Sequence, residues 1–326
     1  MISIIIPVYN VANYIEQTLV SALSQTYHDI EYIIVDDCGT DESMEIIEQI
    51  KKNYRDKNIR IVKHSKNKGL SGARNTGLAE AIGEYVFFMD ADDTITPECI
   101  EKHFEAITYY DADVTDACFE VIGGRNVFKE VQQTVFLKNK LEIQSLYFNN
   151  TLHISACNKL IKTAFLRDRK LFFTEGLTYE DLEWTLLLTK NASSIVLLPD
   201  KTYNYYIHGN SIINSFSARH IESTLYLNQM YLDYIDQCQN EELKKLSTRF
   251  LTERRFKISL RIIISSELTF KSKSKYYFLV NAGEFRRKRR GMYGFFTQFP
   301  FELFFIVFYL PRKWFTKMSF KLKKMN

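Results

Sequence analysis

The 326-residue sequence lacks the cysteine patterns that mark secreted and zinc-binding proteins. It has five scattered cysteines, an odd number, and no two of them have Cys-x-x-Cys spacing. The pattern therefore gives neither a disulfide framework nor a zinc site, and it is typical of a protein in a reducing compartment.

Long apolar segments are also absent. No run of 18 uncharged apolar residues occurs, and the nearest approach, Gly291 to Pro311, is interrupted by Pro300 and Glu302. The first seven residues, Met1 to Pro7, lack a basic segment followed by a longer apolar stretch and a cleavage site. We therefore expect no signal peptide and interpret this segment as a first strand.

Two phosphate-binding motifs are missing as well. The sequence contains no G-x-x-x-x-G-K-[ST], and no G-x-G-x-x-G follows the first strand. These absences argue against a P-loop NTPase and against a dinucleotide-dependent oxidoreductase.

What the chain does contain is an average globular composition, with 46% hydrophobic and 25% charged residues. This excludes a disordered or collagen-like chain, and the length suggests one large or two modest domains. The net charge of +4 is unevenly spread, because residues 284–326 carry eleven Lys or Arg against two Glu. That tail has a charge of +9 and ten of the 25 Phe, which leaves −5 for residues 1–283.

Short β-branched runs alternate with helical patterns in the first hundred residues. The predicted strands are Ile2–Ile6, Tyr32–Val35, Ile59–Val62 and Tyr85–Met89. Continuous apolar runs separated by helices predict an α/β fold with a mostly parallel sheet covered on both faces. Further on, a helix is expected at Tyr179–Leu188, a strand at Val196–Tyr206, and long helices at His220–Ile235 and Glu241–Ser266.

Polar clusters follow all four predicted strands. They begin at Pro7, Asp36, Asn67 and Asp90. Taken singly, each cluster is explained by the residues that turns and helix caps prefer. The carboxyl ends of parallel strands meet at one edge of the sheet, however, and such sheets bind ligands there.

One of these clusters, Asp90-Ala91-Asp92, has metal-binding chemistry of its own. Carboxylates two residues apart can face one site, and a divalent cation prefers one or two carboxylates together with substrate phosphate oxygens. The alternative for this pair is a solvated acidic turn. Lys68 and Arg74, with nearby glycines, would favour a diphosphate beside it.

Two later segments add candidates. Glu180 and Asp181 open a predicted helix, where they serve either as favourable charges at the dipole or as a general base. His208, followed by Gly-Asn-Ser, suits a loop over phosphate or a metal ligand, although a lone histidine is more often structural.

Together these motifs resemble the family 2 glycosyltransferases, which have the glycosyltransferase A-type fold. The matching segments are PVYN at Pro7–Asn10, VDDCGTDES at Val35–Ser43, NKGLSGARNTGL at Asn67–Leu78, FFMDADD at Phe87–Asp93 and YEDLEW at Tyr179–Trp184. The resemblance covers roughly residues 1–215 and rests on the order and spacing of the motifs. One departure is Cys38-Gly39-Thr40, where the family commonly has Gly-Ser-Thr.

The resemblance implies a role for each matching residue. Nucleotide-binding residues would be Pro7, Tyr9, Asp36, Asp37, Asn67, Arg74, Asp90 and Ala91. Asp92 would bind Mn²⁺ or Mg²⁺, with His208 as a further ligand. Asp181 would be the catalytic base supported by Glu180, and His208 with Ser211 would form a loop over the diphosphate.

The expected domains are a catalytic domain at 1–215, a helical extension at 216–283 and the basic aromatic tail at 284–326. The first divides into a nucleotide half (1–110) and an acceptor half (111–215). The expected activity is inverting transfer of a sugar, first of all from a UDP-sugar, to a lipid-linked or polysaccharide acceptor. Rival interpretations are a sugar-phosphate nucleotidyltransferase and a membrane-attached adaptor with a vestigial nucleotide pocket.

The tail favours an anionic membrane surface as partner, because basic residues flank an interrupted aromatic segment. We therefore expect a cytoplasmic protein that is peripheral on the inner face of the membrane. A final helix packed on the body, an oligomer contact and a membrane span are the alternatives for the tail. Nucleic-acid binding ranks lower, since the body is acidic and carries no nucleic-acid motif.

Overall fold

The computed structural model describes residues 1–124, 126, 129–207, 218–281 and 300–308. The chain divides into two compact units, Met1–Gly209 and Asn210–Asn326. The domain boundaries suggested by the sequence fall among residues 208–217 and 282–299, outside the described part, so that division stays a prediction.

A nine-stranded mixed sheet forms the centre of the first unit. Its strands are β1 (Ile2–Val8), β2 (Ile30–Asp36), β3 (Asn58–Lys63), β4 (Tyr85–Phe88), β5 (Thr94–Ile95), β6 (Val114–Ile122), β7 (Val135–Leu137), β8 (Lys159–Lys162) and β9 (Ile195–Tyr206). The order is β3-β2-β1-β4-β8-β6-β9-β5, with β7 paired to β9. The first four strands in this order are parallel, β8 is antiparallel to both of its neighbours, and β6 and β9 are again parallel.

Over its described residues, the first unit contains seven helices. They are α1 (Ile15–Leu23), α2 (Ser43–Asn53), α3 (Gly69–Glu80), α4 (Cys99–Tyr109), α5 (Lys140–Phe148), α6 (Thr163–Asp168) and α7 (Glu180–Asn191). The predicted α/β class and the four predicted strands of the first hundred residues are confirmed. The strands β6 and β8 were not predicted.

The sheet separates two hydrophobic clusters, as the alternation of side chains along a strand requires. In β1, Ile4 and Ile6 belong to one cluster and Ile5 to the other, and every residue of the strand is buried. Helix α3 lies close against this strand at Gly77, where a Cβ atom would stand 2.2 Å from Cγ2 of Ile5. Burial on both faces explains why β1 is an almost continuous apolar run.

The second unit is helical over its described residues, as the sequence predicted for this region. It contains α8 (Ala218–Gln237), α9 (Glu241–Ile264), α10 (Phe270–Val280) and α11 (Phe301–Phe308). Asn240 caps α9 by accepting from the backbone N–H of Leu243 at 2.9 Å. Across the described ranges, no helix combines the length and the apolar character needed to cross a membrane.

Candidate active site

The parallel strands bring the polar clusters to one edge of the sheet. The register pairs Val8 of β1 with Asp36 of β2 at the carboxyl ends of the strands. Next to this pair, the Asp37 N–H donates to the carbonyl of Val8 and the His64 N–H to that of Asp36, both at 3.0 Å. The edge therefore collects the residues that follow β1, β2, β3 and β4.

Asp37 is turned into the protein at this edge. It is 2% exposed, and its carboxylate accepts from the backbone N–H groups of Lys68 at 2.7 Å and Gly69 at 2.8 Å. His64 approaches the same carboxylate through Nδ1 at 2.6 Å, and its Nε2 lies 2.8 Å from the Thr76 hydroxyl. Asp37 thus fixes the turn that leads into α3, where Gly69 has a φ of +76°.

The other residues expected in a nucleotide pocket differ in accessibility. Tyr9 is 51% exposed and Asn67 is also exposed, whereas Asp36 is half-buried and accepts from the Cys38 N–H at 3.1 Å. Pro7 is buried within β1. Ala91 is 5% exposed, and its carbonyl accepts from the Thr18 hydroxyl at 3.0 Å.

Arg74 joins three carboxylates that come from two distant segments. It lies on α3 and is 1% exposed. Its Nη1 lies 3.0 Å from Glu180 Oε1 and 3.0 Å from Asp181 Oδ1, and its Nη2 lies 2.9 Å from Asp90 Oδ1. Burial lowers the pKa of the guanidinium, but the charges of Asp181 and Asp90 outweigh it and raise this pKa well above its usual value. Arg74 is therefore a buried, charged residue that links the three carboxylates of the site.

Two further contacts hold the segment before α7 against α3. The guanidinium of Arg74 lies 5.2 Å from the ring centroid of Phe173. The side-chain amide of Asn75 donates to the Phe173 carbonyl and accepts from the Phe173 N–H, both at 2.8 Å. Consecutive residues of α3 therefore position one loop, whose last residue, Tyr179, has a φ of +65° at the start of α7.

The carboxylates of the site have perturbed pKa values. Burial, followed by the charge of Asp181, raises the pKa of Glu180 to about 7, although Arg74 opposes the shift. Burial is also the main cause that raises the pKa of Asp181, again against Arg74. These two side chains are 12% and 26% exposed and share one cation.

A third acidic side chain, Asp93, lies behind the Asp90-Ala91-Asp92 cluster. It is 2% exposed and accepts from the Tyr206 N–H at 2.9 Å. Burial is the main reason that its pKa is raised to about 8, and Asp90 and Asp92 raise it further. The raised pKa of Asp93 thus reflects burial beside two other carboxylates.

The remaining predicted site residues lie outside the described part. His208 and Ser211 fall within 208–217, so their predicted roles stay predictions. Over the described ranges, no three His, Cys, Asp or Glu side chains converge as a group that could hold a metal ion. A cation at this edge would depend on one or two carboxylates and on the substrate's own oxygens.

Several residues that build this site were not predicted from the sequence. They are His64, Asn75, Phe173, Tyr203 and Cys157. The hydroxyl of Tyr203 accepts from the Asp90 N–H at 3.1 Å, and Cys157 forms an isolated bridge with Phe88 in β4. Asn75 lies within the NKGLSGARNTGL motif, so its place in that motif could have identified it as a site residue.

The sequence was compared with known proteins. Its residues 3–169 match the model of Glycosyl transferase family 2. Poly(ribitol-phosphate) beta-N-acetylglucosaminyltransferase TarS of Staphylococcus aureus is 34% identical over 212 residues, which are 62% of this chain and 35% of TarS. Glycosyltransferase GlyG of Streptococcus pneumoniae is 31% identical over 232 residues, covering 66% of this chain and 73% of GlyG. The chain thus spans only about a third of TarS.

Solved structures share the fold. The crystal structure of S. aureus TarS 1-349 in complex with UDP-GlcNAc superposes with a TM-score of 0.71 at 24% identity, over 87% of this chain and 80% of that one. The mannosyltransferase PcManGT from Pyrobaculum calidifontis, in complex with GDP-Man and Mn²⁺, gives 0.55 at 15% identity, over 94% and 84%. These likenesses confirm the predicted glycosyltransferase A-type architecture.

The family model covers just over half of the chain, and the residues that it spans include the carboxyl edge of the sheet and the Arg74–Asp90 pair. The chain belongs to glycosyltransferase family 2.

Proposed function

We propose that this protein is an inverting glycosyltransferase that moves a sugar from a nucleotide-diphosphate donor, first of all a UDP-sugar, to an acceptor hydroxyl. The observation that carries the proposal is the buried Arg74, which joins Glu180 and Asp181 of α7 to Asp90 at the ligand-binding edge of the sheet. Such a concentration of perturbed carboxylates at a strand edge is typical of catalytic sites.

The nucleotide would bind where β1, β2 and β3 end. Tyr9 is the exposed aromatic surface for the base, and Asp36 and Asn67 supply polar atoms beside it. Pro7 and Asp37 support this pocket from within, since both are buried. Asp90 and Ala91 would lie below the ribose and diphosphate.

The donor set of the Asp90-Ala91-Asp92 cluster fits a divalent cation. Burial raises the pKa of Asp93 to about 8, the charges of Asp90 and Asp92 raise it further, and a bound cation would relieve the repulsion among these carboxylates. Asp92 would hold Mn²⁺ or Mg²⁺, with Asp90 beside it, and His208 and Ser211 would close over the diphosphate. The cation would neutralise the leaving diphosphate as a Lewis acid. The Mn²⁺ in PcManGT is consistent with this choice.

Asp181 would act as the base in a single displacement. Its carboxylate would take the proton of the acceptor hydroxyl while that oxygen attacks the anomeric carbon opposite the leaving diphosphate, which inverts the centre. Because burial raises the pKa of Asp181, the carboxylate is a stronger base than an exposed aspartate. Arg74 would hold the base in place, and Glu180 would share that cation.

The relatives favour particular substrates. TarS is named for N-acetylglucosamine transfer to poly(ribitol-phosphate), and its structure contains UDP-GlcNAc. We therefore propose UDP-GlcNAc as the first donor to test, and a cell-surface polymer or lipid-linked saccharide as the acceptor. Residues 284–326, with a charge of +9, would dock the enzyme on the anionic inner face of the membrane.

Release of UDP from UDP-sugars, measured with and without Mn²⁺, tests the proposed activity. The variant Asp181→Asn should keep nucleotide binding but lose transfer by about 100-fold or more. Near-wild-type transfer by this variant would show that Asp181 is not the base. Asp92→Ala should weaken UDP binding in the presence of Mn²⁺, and unchanged calorimetric binding would count against a metal ligand at Asp92.

Truncation tests the proposed membrane docking separately. Deleting residues 284–326 should release the protein from vesicles that contain anionic lipid and leave UDP-sugar hydrolysis intact. A truncated protein that still sediments with these vesicles would exclude the tail as the docking element.

A further inference from the structure

A second buried charge cluster lies within electrostatic reach of Asp181. Asp116 of β6 and Lys159 of β8 are 2% and 0% exposed, and their carboxylate and ammonium atoms are 2.8 Å apart. The other carboxylate oxygen of Asp116 accepts from Nδ1 of His153 at 2.9 Å and from the His153 N–H at 3.1 Å. Lys159 also donates to the His153 carbonyl at 2.8 Å. A single carboxylate therefore fastens both ends of the 153–159 loop.

The middle of this loop forms a wall of the candidate active site. Cys157 pairs with Phe88, which lies two residues before Asp90, and the Phe88 ring stands 5.9 Å from that of Trp184 in α7. Ala156 and Trp184 belong to one hydrophobic cluster. The loop thus pairs with β4, which ends two residues before Asp90, and shares a hydrophobic cluster with α7, which carries Asp181.

The charges around Asp181 also connect it with the 153–159 loop. The Asp181 carboxylate is faced by Arg74 and Asp90, by its neighbour Glu180, and by Lys159 from the loop side. The Lys159 ammonium and the Ala156 backbone amide both lower the pKa of Asp181, although burial raises it more. Moving the loop would change both the place and the charge environment of this carboxylate.

We propose that Asp116, His153 and Lys159 are positioning residues for the transfer step, because they clamp the 153–159 loop against which α7 presents Asp181. This inference rests on the proposed function of Asp181 as the base. It differs from a purely structural role in one respect: loosening the clamp slows turnover while nucleotide binding persists, because the nucleotide edge of β1, β2 and β3 does not include this loop.

The variant Asp116→Asn, compared with Glu31→Gln, tests the clamp. Glu31 is a matched control, because it is a 1% exposed carboxylate that accepts from the Ile82 and Gly83 N–H groups at the other edge of the sheet. Both changes are isosteric and both remove a buried charge. We expect similar losses of Tm, but only Asp116→Asn should lower kcat for UDP release from UDP-GlcNAc, by about 10- to 100-fold, with the Kd for UDP within twofold.

A second pair of variants covers the case in which Asp116→Asn does not fold. His153→Asn keeps a side-chain N–H close to the position of Nδ1, whereas His153→Leu removes it. We expect slow turnover by His153→Leu and turnover within twofold of wild type by His153→Asn. Equal turnover by all folded variants, or an equal loss in Glu31→Gln, would overturn the clamp.

Turnover by the wild-type protein separates this inference from the proposed function. If the wild type releases UDP from none of the UDP-sugars, the proposed function is contradicted and the clamp is not. A titration that needs no turnover then decides the clamp. In carboxyl-labelled protein, with the Asp181 signal assigned from Asp181→Asn, Lys159→Met should shift the Asp181 titration to higher pH. An unchanged titration would show that Lys159 does not act on Asp181.

Discussion

Replacing Arg74 by methionine removes the cation that pairs with Asp90, Glu180 and Asp181, while it keeps most of the side-chain length. Loss of one partner from a buried ion pair costs roughly 3–5 kcal/mol, because a charge is left without compensation. The three carboxylates are 31%, 12% and 26% exposed, so water screens them in part. We therefore expect a loss near the lower end, about 3 kcal/mol at pH 8.

The loss should depend on pH in a defined direction. Burial already raises the pKa of Glu180 to about 7 and also raises that of Asp181, and without Arg74 both pKa values in the folded protein rise further. A carboxyl group whose folded pKa exceeds its unfolded value destabilises the fold as pH rises and the group must ionise. The loss in free energy of unfolding caused by Arg74→Met should accordingly become smaller as the pH falls from 8 to 5.5.

Urea unfolding followed by Trp184 fluorescence measures this loss, in a background where the other tryptophan, Trp314, is replaced by phenylalanine. Trp184 is 1% exposed and lies on α7 beside the carboxylates. Lys201→Met is the control: Lys201 also pairs with two carboxylates, but all three side chains are at least 33% exposed, so the loss should be much smaller. A deficit for Arg74→Met that equals this control, or that is the same at both pH values, would refute the reasoning.

Three further predictions follow from the fold and the site. Gly77→Ala should destabilise the protein by about 1–3 kcal/mol, because its Cβ would stand 2.2 Å from Cγ2 of Ile5, and a double-mutant cycle with Ile5→Ala should recover part of that loss. Burial lowers the pKa of His103 to about 4, so on acidification the unfolded state takes up this proton at a higher pH than the folded state. The free energy of unfolding should therefore fall by about 3 kcal/mol from pH 6.5 to 4. The urea midpoint of His103→Gln should depend less on pH over this range. The acid limb of the kcat profile should lie above the ordinary range of aspartate, since burial raises the pKa of Asp181, and a limb near pH 4 would contradict this prediction.

The first four strands were predictable because each is a buried β-branched run that ends in turn residues. The strands β6 and β8 were not, since a buried strand with Asp116 and Glu120 does not look apolar in sequence. Lys159 neutralises the buried Asp116, and that partner is 43 positions away along the chain. Local patterns carry no information about such a pairing.

The candidate site was predictable to a similar depth. The strand ends and the acidic helix start were recognised, because turn chemistry and motif spacing are local. The burial of Arg74 and Asp37 was not predicted. Arg74 pairs with residues of α7, more than a hundred positions away, and Asp37 binds backbone groups at the start of α3. Both sets of partners are a property of the folded chain.

The shared cation also limits how segments of this chain can be recombined with those of its relatives. Arg74 lies on α3, whereas two of its three carboxylates lie 106 and 107 positions later. A chimera joined between residues 110 and 175 combines an arginine from one parent with acids from the other. Only parents that bring these groups to the same distance will keep the arginine paired, so segments are best exchanged as loops that leave α3 and α7 intact.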